Sequence, residues 1–201
     1  MNTRWTRLIA ALTAVLSLAV VILATGCAGT PRPPKKSGFL FNYSNLRQVD
    51  ETTWRFVNTN RLALYSKFMI GPIQILPTEF DGRPITEEEK ARATDFIRES
   101  VTRALESRGF EVVPRAFGEI GEIRVAITDV YRSRSQIGLT VEGSIVDSAS
   151  AFQAAAVMKT ELAPAQLGSW WDNARGRGII NSWAERMAEA IADAHAHAAG
   201  R

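Results

Sequence analysis

The sequence holds one cysteine and two histidines in 201 residues, and each scarcity removes a class of function. A single cysteine, Cys27, cannot close an intrachain disulfide, so the chain is not a small scaffold stapled by cross-links. The histidines, His195 and His197, sit in an alanine-rich tail. A hydrolytic triad needs an imidazole base beside a nucleophile and a second group to hold it. No Gly-x-Ser-x-Gly elbow is present, and a tail imidazole offers nothing to be held by. Two residues apart on a helix, the pair points about 200° apart and makes no metal clamp. Charge of one sign is missing too. Lysine and arginine total 24 against 21 acids, and two of the bases, Arg4 and Arg7, precede an N-terminal apolar run. The remainder is close to neutral and gives no electrostatic case for nucleic acid. Hydrophobic residues at 46% and charged residues at 22% describe an ordinary globular domain.

What is present begins at the N-terminus. After Arg4 and Arg7, Leu8 to Ala24 is apolar apart from Thr13 and Ser17, a run shorter than the ~20 residues of a spanning helix. Ala24-Thr25-Gly26-Cys27 then sets small residues before a cysteine, the lipobox arrangement that a lipoprotein signal peptidase cleaves. Residues 1–26 therefore read as a signal peptide and Cys27 as the first residue of the mature chain. Its thiol would carry diacylglycerol and its amine a further acyl chain such as palmitate, with no other cofactor expected. Each buried methylene contributes roughly 0.8 kcal/mol, so several chains together anchor firmly. Ala28 in place of Asp favours the outer membrane of a diderm bacterium, with the domain facing the periplasm. Residues 27–37, with Pro31, Pro33 and Pro34, read as a semi-rigid tether that does not pack and lifts the domain off the membrane.

Residues 38–201 are expected to form one domain. Its start, to about Tyr65, mixes aromatics with Asn, Asp and Thr and reads as an irregular arm draped over the rest. Phe68 to Leu76 is β-prone, with Pro72 marking an edge or bulge. Thr86-Glu87-Glu88-Glu89 fits a capping box, its acids complementing the helix dipole and not forming a metal site. Ala93, Ile97, Val101 and Leu105 carry the helical stripe to a Gly109 cap. Strands follow at Phe110–Pro114, Glu122–Tyr131 and Gln136–Asp147. In the last, Ile137, Leu139, Val141 and Ile145 share one face, while Thr140, Glu142 and Ser144 share a wetter one. Residues 151–162 read as a hairpin partner, with helix as the alternative. A loop carrying Trp170, Trp171, Arg175 and Arg177 precedes a C-terminal helix capped at Ser182-Trp183-Ala184-Glu185. The expected fold is α+β in two layers, order β-α-β-β-β-β-α. An antiparallel sheet of about four to five strands would be covered by two long helices.

Several segments in this order resemble one family. They are Ser37-Gly38-Phe39-Leu40 with Asn42-Tyr43-Ser44-Asn45-Leu46, Ala126-Ile127-Thr128-Asp129, Val141-Glu142-Gly143 running into Val146-Asp147-Ser148, and Trp183-Ala184-Glu185-Arg186. Together the pattern is similar to the bacterial lipoproteins grouped as domain of unknown function 3313, across essentially the whole mature chain. The resemblance implies envelope placement and this architecture, and no reaction.

The expected function is that of a non-enzymatic, outer-membrane-anchored binding or assembly module with an envelope protein partner. Trp170, Trp171, Arg175 and Arg177 are the candidate surface, since aromatic and guanidinium groups anchor interfaces. Two alternatives stand beside it. An enzyme on cell-wall sugar or lipid would need carboxylates such as Asp129, Glu142 and Asp147 to converge in a cleft. A carrier of an apolar ligand would need an enclosed cavity of roughly 300 Å³ or more.

Overall fold

The computed structural model describes residues 31–116, 118–133, 136–164 and 174–200, with side chains described from 176 onward in the last stretch. Residues 1–26, Cys27, Trp170 and Trp171 lie outside the described residues, and Arg175 is described in its backbone alone.

The chain runs through β1 (Arg47–Asp50), β2 (Thr53–Val57), a one-turn helix α1 (Thr59–Leu62) and β3 (Lys67–Ile75). A two-residue ribbon, β4 (Glu79–Phe80) with β5 (Arg83–Pro84), leads into α2 (Glu87–Glu106). Then come β6 (Glu111–Val112), β7 (Gly121–Ser133), β8 (Gln136–Asp147), β9 (Gln153–Pro164) and α3 (Ala174–Ala199). The class is α+β as expected, but the sheet has seven strands, in the order β1-β2-β9-β8-β7-β3-β6. It is also mixed. β3 pairs parallel with both β6 and β7, because a helix between two strands carries the chain back to start again in the same direction. The segment read as an irregular arm supplies β1, β2 and α1, with Asn58 capping α1 through its side chain.

α2 forms where its signals place it. Thr86 and Glu89 exchange both capping-box bonds, and Gly109, at φ 82, turns the chain so that the Phe110 amide reaches Leu105 O at 3.1 Å. Ile97, Val101 and Leu105 are fully buried, each contributing roughly 1.5–3 kcal/mol. Pro72 sits in a register shift of β3 between Ile70 and Ile73, beyond the two residues that pair with β6. Its missing N–H therefore costs no ladder bond.

β7, β8 and β9 form a long antiparallel meander, so residues 153–164 are strand. A bulge falls between Ile127 and Asp129. Ile123, Val125 and Ile127 face the helices, and the extra residue then turns Tyr131 to the opposite face. Simple alternation along Glu122–Tyr131 would set Ile123, Val125, Ile127 and Tyr131 on one face, and it fails at that bulge. Tyr131 lies over Gly138, where a Cβ would come within 2.1 Å of its ring.

β8 is buried along nearly its whole length, so its second face is not wet. The N-terminal arm covers it. Leu40 and Leu46 pack with Ala156 and Met158 of β9, joined by Phe39, Tyr43, Trp54 and Phe56. The stretch expected to stay clear of the domain is bound as well. The Arg32 amide donates to Tyr131 Oη at 2.8 Å, with the Arg32 guanidinium 4.2 Å from the ring centre.

α3 begins at Ala174, earlier than expected. Ser182 is therefore interior and no N-cap, and its hydroxyl accepts from Arg186 at 2.6 Å. Burial of Ile179, Ile180 and Trp183 outweighs the roughly 1 kcal/mol helix cost of each of Gly176 and Gly178.

Candidate functional site

Seven strands present a wider face than two helices cover. α2 lies against β3 and β6, and α3 against β8 and β9. Beside α3 a groove of about 260 Å³ runs between the helix and the strands β2, β9 and β8.

Its walls follow from the strand register. Val57 pairs with Ala155, Arg55 with Val157 and Thr53 with Lys159, and these alternate residues point to the helix side. Ala155 and Ala190 are short, so α3 does not close down on the strands. Trp183 is held against Gly143 of β8, where a Cβ would lie 2.6 Å from the Cζ2 edge of its ring. The groove therefore has two unlike ends. At one, Val57 and Ala155 meet Leu62 and Ile191, which are 1% and 0% exposed. At the other stand Thr53, Lys159, Arg186 and Asp50, joined by Arg55, whose place on β2 is one pair further in, opposite Val157.

The polar end carries excess positive charge. One carboxylate, Glu161, serves both Lys159, at 3.2 Å, and Arg186. Arg55 is exposed and has no ion pair among the described residues. Asp50 is turned into the β1–β2 turn, accepting from the Thr52 amide at 2.8 Å and its hydroxyl at 2.9 Å. Those bonds hold its carboxyl below the usual aspartate range.

The opposite face of β8 holds Glu142, the most deeply buried carboxylate among the described residues. Tyr43 Oη donates to it at 2.6 Å and the Ser37 amide at 3.0 Å. Both partners come from the arm, so Glu142 fastens the arm to the sheet. Gln153 adds a second clasp, its Nε2 donating to Asn42 O at 3.0 Å.

The three acids weighed for catalysis do not converge. Asp129 is exposed, and its neighbours Arg124 and Arg132 pair with Glu122 and Asp81. Glu142 and Asp147 lie on opposite faces of β8. Asp147 accepts from the Ser150 amide at 2.7 Å and from Tyr65 Oη at 2.9 Å. Chiefly the Ser150 bond lowers its carboxyl, and burial raises the Tyr65 hydroxyl to about 12. His195 does find a holder. Its Nε2 donates to Tyr65 O at 3.0 Å and its ring lies 5.2 Å from Phe110, which ties the end of α3 to the core. Among the described residues no group of three or more His, Cys, Asp or Glu could hold a metal ion. No described helix is long and apolar enough to cross a membrane.

Of the surface expected at Trp170, Trp171, Arg175 and Arg177, only the Arg177 side chain is described. It lies over Phe96, 5.5 Å from the ring centre, and joins the start of α3 to α2. Arg55, Lys159 and Arg186 were not singled out from the sequence. The one trace they leave there is Lys159, which with Glu161 interrupts the apolar odd-numbered residues Ala155, Val157 and Ala163 of β9.

The cavity is open to solvent along one side and smaller than the enclosed volume a carrier needs. It can take part of an apolar molecule without enclosing a whole one.

A family model described as "Protein of unknown function (DUF3313)" matches residues 35–140. No curated protein matches the chain. Among solved structures, the chain is similar to the PelC dodecamer from Paraburkholderia phytofirmans, at 11% identity and a TM-score of 0.47, covering 70% of this chain and 96% of that one. A DUF330 protein from Xanthomonas campestris matches at 12% identity and a TM-score of 0.48, covering 68% and 89%. A lipoprotein from Neisseria meningitidis matches at 12% identity and 0.40, covering 63% and 98%.

Proposed function

This chain belongs to the DUF3313 family, and from that premise we propose that it is a lipoprotein of the cell envelope that works by binding. Cys27 carries the lipid, the outer membrane holds it, and the domain faces the periplasm. The observation that carries the binding role is the groove beside α3, whose apolar floor ends in the cationic group Arg55, Lys159 and Arg186. Apolar surface with a few convergent polar groups is the usual form of a recognition site.

The arm adds a constraint on reach. It is bonded to the sheet from Arg32 onward, so only the peptide from Cys27 to Arg32 separates the lipid from the domain. Fully extended, five residues span at most about 18 Å. The domain then works close to the bilayer, and its ligand is an envelope component found there.

Two measurements test this reading. Mass spectrometry of the mature protein should find an acylated N-terminal Cys27, lost in Cys27→Ser; any other N-terminus overturns the anchor. A photo-crosslinking residue at Met187, on the groove wall, should capture a discrete envelope component in intact cells. The same residue at Glu99, on the exposed side of α2, should not. Equal capture at both positions overturns the groove as the binding surface.

A further inference from the structure

We propose that the groove takes one medium-length acyl chain bearing an anionic head, as in a fatty acid. This rests on the groove being the binding surface and names its ligand class. Register gives the groove a direction. From the Thr53–Lys159 pair to the Val57–Ala155 pair it runs about 13 Å at ~3.3 Å per residue. The far end is stopped by Leu62 and Ile191, both buried. A rod-shaped apolar group entering there meets Val57, Ile145, Val157, Trp183 and Met187 along its length. It meets no acid until it returns to the mouth.

At the mouth three cations face two acids. Glu161 is shared by Lys159 and Arg186, and Asp50 is engaged by Thr52. An incoming carboxylate therefore finds Arg55 and part of the charge of Lys159 and Arg186 uncompensated. The layout is apolar and stopped at one end, cationic and open at the other, which is the complement of a single-chain anionic amphiphile. A two-chain lipid could seat only one chain in 260 Å³ and would leave the other outside the groove, and a polar peptide would leave its backbone groups unpaired against the apolar floor.

The test uses the full-length lipidated protein in phosphatidylcholine nanodiscs, with photoactivatable dodecanoic acid as the probe. Crosslinks should map to peptides of β2, β9 and α3 around Val57, Val157 and Ile191. Plain dodecanoic acid should compete, and dodecanol, which lacks the charge, should compete about tenfold less, the effect of one charge-assisted bond. Arg55→Glu should weaken labelling by a similar factor. Ala190→Phe, which fills the groove from its α3 wall, where Ala190 is half-buried, should abolish it while leaving the circular dichroism spectrum intact. Labelling confined to the acyl chains of Cys27, labelling unchanged by Ala190→Phe, or equal competition by acid and alcohol overturns the proposal. If the Met187 crosslinker captures a protein while the fatty acid does not label the groove, the ligand class is wrong and the binding surface stands. If neither labels it, both fail.

Discussion

One hydroxyl fastens the N-terminal arm, and its removal should free the arm without disturbing the sheet beneath. Tyr43 Oη donates to Glu142 at 2.6 Å and accepts from the amides of Gly38 at 2.9 Å and Leu40 at 3.1 Å. Tyr43→Phe deletes all three bonds and keeps the ring. Glu142 then retains only the Ser37 amide. A buried carboxylate that loses a donor costs about 1.5–3 kcal/mol, and the amide of the buried Leu40 adds about 1 kcal/mol. The exposed Gly38 amide rehydrates at little cost. A loss of about 2–4 kcal/mol follows. Because the arm can detach locally, the sensitive assay is limited trypsin digestion at Lys35, Lys36 and Arg47 under native conditions. Cleavage there should accelerate at least tenfold. In urea, for a slope of about 2 kcal/mol/M, the midpoint should fall by about 1 M or more if the arm unfolds with the domain. The double variant Tyr43→Phe with Glu142→Gln should show a coupling of about 1–2 kcal/mol, since each partner's loss already spends the shared bond. Additivity within about 0.5 kcal/mol, together with unchanged trypsin cleavage, would show that the hydroxyl does not hold the arm.

Three further outcomes follow from contacts already described or closely related to them. Glu89 accepts two bonds from the Arg83 guanidinium, which with the Thr86 amide hold its carboxyl at about 2, against 4.5 when free. A lowered folded value means that the stabilisation is complete above about pH 4.5 and drains as pH falls towards 2. With Arg83 half-exposed it amounts to about 2 kcal/mol, so Glu89→Gln should lower the melting temperature at pH 7 and leave it unchanged near pH 2. Gly143→Ala places a Cβ 2.6 Å from the Trp183 ring. It should cost about 1–3 kcal/mol by overpacking, and Trp183→Phe in the same chain should recover part of that; no recovery would mean the strain lies elsewhere. Gly138→Ala drives Tyr131 off its seat and removes the hydroxyl that the Arg32 amide meets. Trypsin should then cut faster at Lys35 and Lys36, and an unchanged rate would show that Tyr131 does not hold the arm's start.

Local signals were readable where they are self-contained. The capping box at Thr86 and the stop at Gly109 each depend on neighbours within a few residues, and each stands in the structure. The features that were misread depend on distant partners. Glu142 reads as a wet-face residue because nothing near it in sequence is apolar on that side, and the cover arrives from Ser37, 105 residues away. Tyr131 changes face through a bulge at Thr128 that period-2 counting does not register. The β1–β2 hairpin is an edge, with all four residues of β1 exposed, so it carries no buried alternation to find. The start of α3 is masked by Gly176 and Gly178, which local propensity treats as breakers while Ile179 and Ile180 pull the segment into the core.

The groove itself was hidden by the strand count. Four or five strands, at about 4.8 Å each, make a sheet roughly 14–19 Å across, which two helices about 10 Å apart and as wide cover completely. No open apolar face is expected from that number. Seven strands span roughly 29 Å, and the same two helices leave about 9 Å bare, the width of two strands. Since α2 is drawn to β3 and β6 by the crossover that joins them, and α3 is seated on β8 by Trp183 and Gly143, the uncovered strip falls at β1 and β2. The hairpin that was illegible in the sequence is therefore what creates the site: it adds the wall carrying Arg55 and Val57 and turns the flank of α3 into a groove. Removing that wall makes the connection testable. Val57→Asp with Phe56→Ser, which removes the apolar side chain of β2 from the groove face and leaves only Trp54 on the other, should abolish groove labelling while the packing between α2 and β3 persists. Labelling that survives the double variant would place the binding surface away from β2.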